Sequence, residues 1–139
     1  MKAHLTRRYV IAASHRLHNQ RLSEAENREI YGKCNNPFGH GHNYAVEVTV
    51  SGQISPNTGM VCNLVDLDEC FRSEIMGRFD HQNLNARPEF AASVPTTENL
   101  AAIIYQILKR EFRAAHLEKI RIEETANNSF EYYGEAQSS

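Results

Sequence analysis

Tyr9, Ile11, Ala13, His15 and Leu17 fall on one face of an extended chain, with Arg8, Ser14 and Arg16 on the other. That two-residue period predicts a first strand with one buried side. The alternation returns more cleanly in His40, His42, Tyr44, Val46, Val48 and Val50, with Glu47, Thr49 and Ser51 opposite, and predicts a second strand carrying two histidines on its apolar face. Between them, Ser23 and Glu26 have the spacing of a capping box. A short surface helix over about 23–31 follows, stopped by Gly32 and inserted between the strands. Ser55-Pro56-Asn57-Thr58-Gly59 reads as a turn, because proline presets one dihedral and glycine permits positive φ.

The period then changes. Leu64, Leu67, Phe71, Ile75 and Phe79 step by three or four residues and predict a helix over about 65–78, with Asp66 placed to cap it and Glu69 three residues on. After a loop containing Pro88 and Pro95, Leu100, Ile103, Ile104, Ile107, Leu108 and Phe112 trace a second helix over about 97–114. Ile120, Ile122 and Glu124 share a face of a third strand, Phe130 and Tyr132 a face of a fourth, and Ala126-Asn127-Asn128 connects them. The order ββααββ predicts an α+β fold: a four-stranded antiparallel sheet with two helices on one face.

At 139 residues the chain has the size of one domain, so 1–139 is read as a single domain with a helical insertion near 21–31 and a frayed tail at 135–139. No stretch approaches the roughly 20 apolar residues of a bilayer crossing, and membrane association is not expected. The start, Met1 to Arg8, lacks the apolar run of a secretion signal, so a cytoplasmic location is expected. A formal charge of −2 argues against nucleic acid as a partner. Cys34, Cys62 and Cys70 are an odd, sparse set that predicts free thiols. Cys62 and Cys70 are read as small apolar fillers.

Chemistry is expected where polar groups interrupt apolar faces, because an unpartnered buried polar group costs about 1–3 kcal/mol. His15, His40, His42 and Glu124 interrupt them. His40 and His42 leave the same side of their strand about 6–7 Å apart at their bases and can converge with His15 on one cation. Three imidazoles on Zn²⁺ leave a coordination position open, as in catalytic zinc sites; the alternative is three core histidines bonded to backbone. Cys34 lies in a turn-rich loop, where it is either a base or nucleophile, or the fourth ligand of a closed structural site. Asp80-His81 is either an oriented proton-transfer pair or a helix-end pair. Glu124 needs a donor pair, from an arginine or from a ligand. Thr96 and Thr97 read as helix-cap residues whose hydroxyls can face a heterocycle. Arg16 and Lys33 are candidate phosphate contacts or solvated charges.

The series Ala13-Ser14-His15-Arg16-Leu17, Gly32-Lys33-Cys34-Asn35-Asn36-Pro37, Gly39-His40-Gly41-His42-Asn43-Tyr44, Leu64-Val65-Asp66-Leu67, Asp80-His81, Thr96-Thr97-Glu98-Asn99 and Glu124-Thr125 resembles the 6-pyruvoyltetrahydropterin synthase family, in order from about residue 8 to 135. The resemblance implies a tunnelling fold assembled through trimers into a homohexamer with interfacial active sites. It implies His15, His40 and His42 as Zn²⁺ ligands and Cys34 as the proton-abstracting thiolate. It further implies Asp80 and His81 as the partner dyad from a neighbouring subunit, and Glu124 as the pterin anchor beside Thr96 and Thr97. The implied reaction is a carbon–oxygen lyase step, converting 7,8-dihydroneopterin triphosphate into 6-pyruvoyltetrahydropterin plus triphosphate.

The nearest rival on the same fold is 6-carboxytetrahydropterin synthase of queuosine biosynthesis. The stretch Asn35-Asn36-Pro37-Phe38-Gly39 between Cys34 and His40, and the insertion after β-strand one, look like the pyruvoyl enzyme. A metal-free dihydroneopterin aldolase and a non-catalytic structural zinc protein are the rivals from other classes.

Overall fold

The structure is a computed structural model and describes residues 1–135. Strands β1 (Lys2–His15) and β2 (His40–Gln53) pair antiparallel along their whole lengths, from Lys2 opposite Gln53 to His15 opposite His40. The first strand is therefore longer at its start than its apolar alternation suggests. It also ends before Leu17, whose N–H donates to the Cys34 carbonyl at 2.7 Å. Helix α1 (Glu24–Tyr31) follows with both capping-box hydrogen bonds present, between Ser23 and Glu26.

The predicted helix over 65–78 is a composite. Helix α2 (Leu64–Cys70) passes into a π-helical segment, Phe71–Met76, and a last turn, α3 (Gly77–Phe79). A four-residue step overshoots the 3.6-residue turn by about 40°, so Leu67, Phe71, Ile75 and Phe79 would drift off one face of a regular helix. The wider π turn keeps all four at 0% exposure. Asn63 caps this segment, accepting from the Val65 N–H at 2.9 Å, in place of Asp66.

Beyond α3 the chain forms a strand too short for periodicity to reveal, β3 (Gln82–Asn83), parallel to β1. After α4 (Thr97–Glu111), capped by Thr96, come β4 (His116–Thr125) and β5 (Asn128–Tyr132). The sheet is thus mixed and five-stranded, in the order β3-β1-β2-β4-β5, correcting the four-stranded antiparallel expectation. Helix α4 ends at Glu111, short of the predicted 114, where Phe112 turns extended.

Ile11, Tyr44, Val46, Ile120 and Ile122 meet Leu67, Phe71, Leu100 and Ile104 in one apolar cluster. Each such side chain contributes about 1.5–3 kcal/mol by leaving water. Cys62 and Cys70 are free and pack at its margin, as fillers would. The alternate sheet positions carry charge, with Arg121 ion-paired to Glu47 and Glu123. Gly134 and Glu135 are outside any regular element, and the rest of the expected frayed tail lies outside the described residues.

Candidate active site

Helix-facing positions of β1 and β2 are apolar, Arg7 apart, until their shared end, where the register sets His15 directly opposite His40 and puts His42 two residues on. Gly39 makes that approach possible: it holds φ 71°, and an added Cβ would lie 3.1 Å from the His15 carbonyl oxygen. His15 is 1% exposed. Its Nδ1 lies 2.8 Å from the Pro95 carbonyl oxygen, which as an acceptor requires the proton on Nδ1 and leaves Nε2 as a lone pair. That Nε2 is 3.1 Å from the Nε2 of His40. Burial holds the His15 and His42 rings below the usual histidine range, in the neutral form that ligates metals.

Glu124 completes the group. The β4–β5 pairing carries one extra residue between Glu123 and Thr125, a bulge of the kind that redirects a side chain. Glu124 Oε1 lies 3.1 Å from His42 Nε2 and 3.7 Å from His15 Nε2, while Oε2 accepts from the Thr97 hydroxyl at 2.9 Å. One donor atom from each of His15, His40, His42 and Glu124 lies within 4.8 Å of all the others, so these residues can hold a metal ion. The His42 Nε2 is buried without a hydrogen-bond partner among the described residues. An orphaned buried nitrogen amid converging lone pairs fits a cation.

A Glu124 carboxylate oxygen thus stands beside the three imidazoles, a closeness that the strand alternation does not reveal. Cys34 is not among the converging donors. It sits in the 3₁₀ turn Gly32–Asn35, tied to the exit of β1 by the Leu17 N–H and by Asn35 Nδ2, which donates to the Leu17 carbonyl at 2.7 Å. Burial, with a smaller contribution from the Glu124 charge, pushes the Cys34 thiol up.

Asp80 and His81 stand apart from the four donors. Asp80 Oδ1 accepts the Ala12 N–H at 2.9 Å, and its other oxygen is 3.6 Å from His81 Nε2. His81 holds φ 58°, the one positive φ outside glycine among the described residues. Its side chain is 80% exposed. It shares with His42 a shallow hollow of about 430 Å³ at the β3 edge. A strained, exposed, anchored histidine is a recurring feature of functional positions. Thr96 caps α4, accepting from the Asn99 N–H at 3.1 Å. Arg16 donates through Nε to the Asn35 carbonyl and lines, with Lys33, Arg28 and Glu24, a cavity of about 470 Å³. The Pro95 carbonyl and Arg28 had no sequence signal, whereas Asn35 lies within the quoted cysteine motif.

Fold and cluster define a class: an α+β protein with a histidine-rich candidate metal centre at one end of a mixed sheet. Residues 4–135 match the family model described as 6-pyruvoyl tetrahydropterin synthase. The chain is 53% identical over 133 residues to the 6-pyruvoyl tetrahydrobiopterin synthase of Poecilia reticulata, covering 95% of this chain and 90% of that one. With the Homo sapiens 6-pyruvoyl tetrahydrobiopterin synthase it shares 48% identity over 135 residues, 96% of this chain and 93% of the relative. The solved structure of Caenorhabditis elegans 6-pyruvoyl tetrahydropterin synthase superimposes with a TM-score of 0.92 at 39% identity, covering 97% of each chain. The chain belongs to the 6-pyruvoyl tetrahydropterin synthase family of enzymes.

Proposed function

We propose that this enzyme is a zinc-dependent 6-pyruvoyltetrahydropterin synthase, a carbon–oxygen lyase that takes 7,8-dihydroneopterin triphosphate to 6-pyruvoyltetrahydropterin and triphosphate. The observation that carries the reading is the convergence of His15, His40 and His42 around an unpartnered nitrogen, beside a threonine-held carboxylate. His15, His40 and His42 would hold Zn²⁺, which supplies Lewis-acid polarisation of the substrate's side-chain hydroxyls.

The remaining work falls to the chain's own groups. Glu124 accepts two hydrogen bonds from the amino and N–H edge of the pterin, with Thr96 and Thr97 lining the ring, and so fixes the side chain in reach of Cys34. Engaging Glu124 with those donors spreads its negative charge and relieves part of what pushes the Cys34 thiol up. The Cys34 thiolate takes the proton from the side-chain carbon, and His81, oriented by Asp80, exchanges a proton on the opposite side. Arg16 and Lys33 neutralise the triphosphate, for which their cavity of about 470 Å³ has room. The active assembly in this reading is a homohexamer, a dimer of trimers, in which Asp80 and the exposed His81 serve a neighbouring copy's Cys34. The chain 1–139 acts as one synthase domain.

Incubating the zinc-loaded protein with 7,8-dihydroneopterin triphosphate and weighing the products tests this reading. Triphosphate with a three-carbon side chain retained on the pterin is expected. Release of acetaldehyde would assign the carboxy reaction instead, and turnover surviving chelation would assign a metal-free reaction.

A further inference from the structure

Past β3 the chain stays alongside the exit of β1. Ala13 and Ser14 pair with Gln82 and Asn83 through the backbone, and a side chain then continues the ladder. The Asn85 amide accepts the Arg16 N–H through Oδ1 at 2.7 Å and donates from Nδ2 to the Arg16 carbonyl at 2.8 Å, taking both main-chain groups as a neighbouring strand would. Only one orientation of the amide satisfies both contacts. A built turn presents this side chain: Leu84, at 0% exposure, roots the 3₁₀ turn Leu84–Ala86 in the core, and the Asn85 N–H donates to Asn83 Oδ1 at 3.1 Å.

The peptide joining Arg16 to Leu17 is what this grip controls. Its carbonyl is held by Asn85, and its N–H donates to the Cys34 carbonyl at 2.7 Å. In a planar trans peptide those two groups point in opposite directions, so Asn85 and Cys34 stand on the two flanks of one rigid plate. An acceptor engaged at one end also strengthens the donor at the other. Beside it, Asn35 Nδ2 donates to the Leu17 carbonyl at 2.7 Å, and the Asn35 carbonyl accepts Arg16 Nε at 3.1 Å. The turn bearing Cys34 is therefore fastened to Arg16-Leu17, a dipeptide that lies outside any helix or strand.

We propose that Asn85 is a positioning residue for Cys34: by fixing the plane of the Arg16–Leu17 peptide, it sets where the thiol stands for proton removal. The inference rests on the base role given to Cys34 above. Proton abstraction requires hydrogen-bond reach between base and carbon acid, and a displacement of about 1 Å costs about 100-fold in rate. Asn85 acts only through the peptide, so its effect falls on kcat.

Zinc-loaded wild type, Asn85→Ala and Asn85→Asp are compared in turnover of 7,8-dihydroneopterin triphosphate. They are also compared in alkylation by iodoacetamide at fixed pH, with the labelling of each cysteine followed by peptide mass. Cys62 and Cys70, at the core margin, are the internal reference. Asn85→Ala is expected to lower kcat by about 10- to 100-fold, leave KM near the wild-type value and label several-fold faster at Cys34 alone. Asn85→Asp keeps the acceptor for the Arg16 N–H and loses the donor to the carbonyl. It is expected to fall between the other two, and it decides the point should the alanine variant not fold. Wild-type kcat and Cys34 labelling in both variants overturn the proposal. Faster labelling of Cys34, Cys62 and Cys70 together overturns it as well, since that marks general loosening. A raised KM with kcat unchanged overturns it by assigning the grip to the Arg16 phosphate contact. Full turnover by wild type alkylated at Cys34 overturns the base role, and this inference with it.

Discussion

Two polar constellations lie on the helix-facing side of β1, one near each end, and they are resolved in opposite ways. Near the start, Arg7 donates through Nε and Nη2 to the two oxygens of Asp68 at 3.1 and 3.0 Å, and Tyr9 donates its hydroxyl to the same carboxylate at 2.7 Å while stacking on Phe71. Both oxygens of that carboxylate are thereby engaged inside the fold. At the other end, His15, His40, His42 and Glu124 bring lone pairs together and leave His42 Nε2 with no partner among the described residues. A closed network of this kind stabilises one structure and asks nothing of solution. Convergent acceptors ask for a cation, and the fold supports their strain because the surrounding core is well packed.

Substitutions at the two ends should therefore separate cleanly. The largest effect is expected from Cys34→Ala: turnover falls by about 10²–10⁴-fold, the contribution of a positioned base, while zinc content and Tm stay at wild-type values. Lost zinc and an unfolded chain in that variant would make the site structural. His42→Ala should come next. A metal ion held by the cluster would raise wild-type stability by about 2.7 kcal/mol at 100 times its Kd, and that increment should vanish in thermal melts of the variant, with the metal-free proteins melting within a few degrees of each other.

Asp68→Ala should do the reverse. It is expected to lower stability by about 1 kcal/mol, discounted for partial exposure, in denaturant titrations, with zinc affinity and turnover unchanged. The smallest effect is a pH dependence. The Arg7 and Tyr9 hydrogen bonds hold the Asp68 carboxyl below its usual range. A depressed folded pKa adds stability that is complete above the unfolded value of about 4 and is lost as pH falls through the lower folded value. The stability gap between wild type and Asp68→Asn should thus be constant from neutral pH down to about 5 and shrink below about 4.

What could be read from the chain divides along similar lines. The long strands and α4 were legible because burial on one face imposes a period, and the same period exposed His15, His40, His42 and Glu124 as intruders. The spaced motifs from Ala13 to Thr125 carry the family resemblance, and residues 4–135 match the family as a whole. Strand β3 was invisible because two residues carry no period, and it is fixed instead by the Asp80 and His81 contacts to Ala12. The π segment left only a subtle trace, a run of strict four-residue steps. The nearness of Glu124 to the histidines depends on a bulge and a threonine hydroxyl, neither of which alters the alternation of β4.

The most direct measurement is equilibrium dialysis of metal-free protein against Zn²⁺, with bound metal counted per chain. One equivalent is predicted for wild type and for Asp68→Ala, and a loss of tight binding for His15→Ala, His40→Ala and His42→Ala alike. Wild-type protein that takes up no stoichiometric zinc, or histidine variants that bind it as well as wild type, would contradict the account.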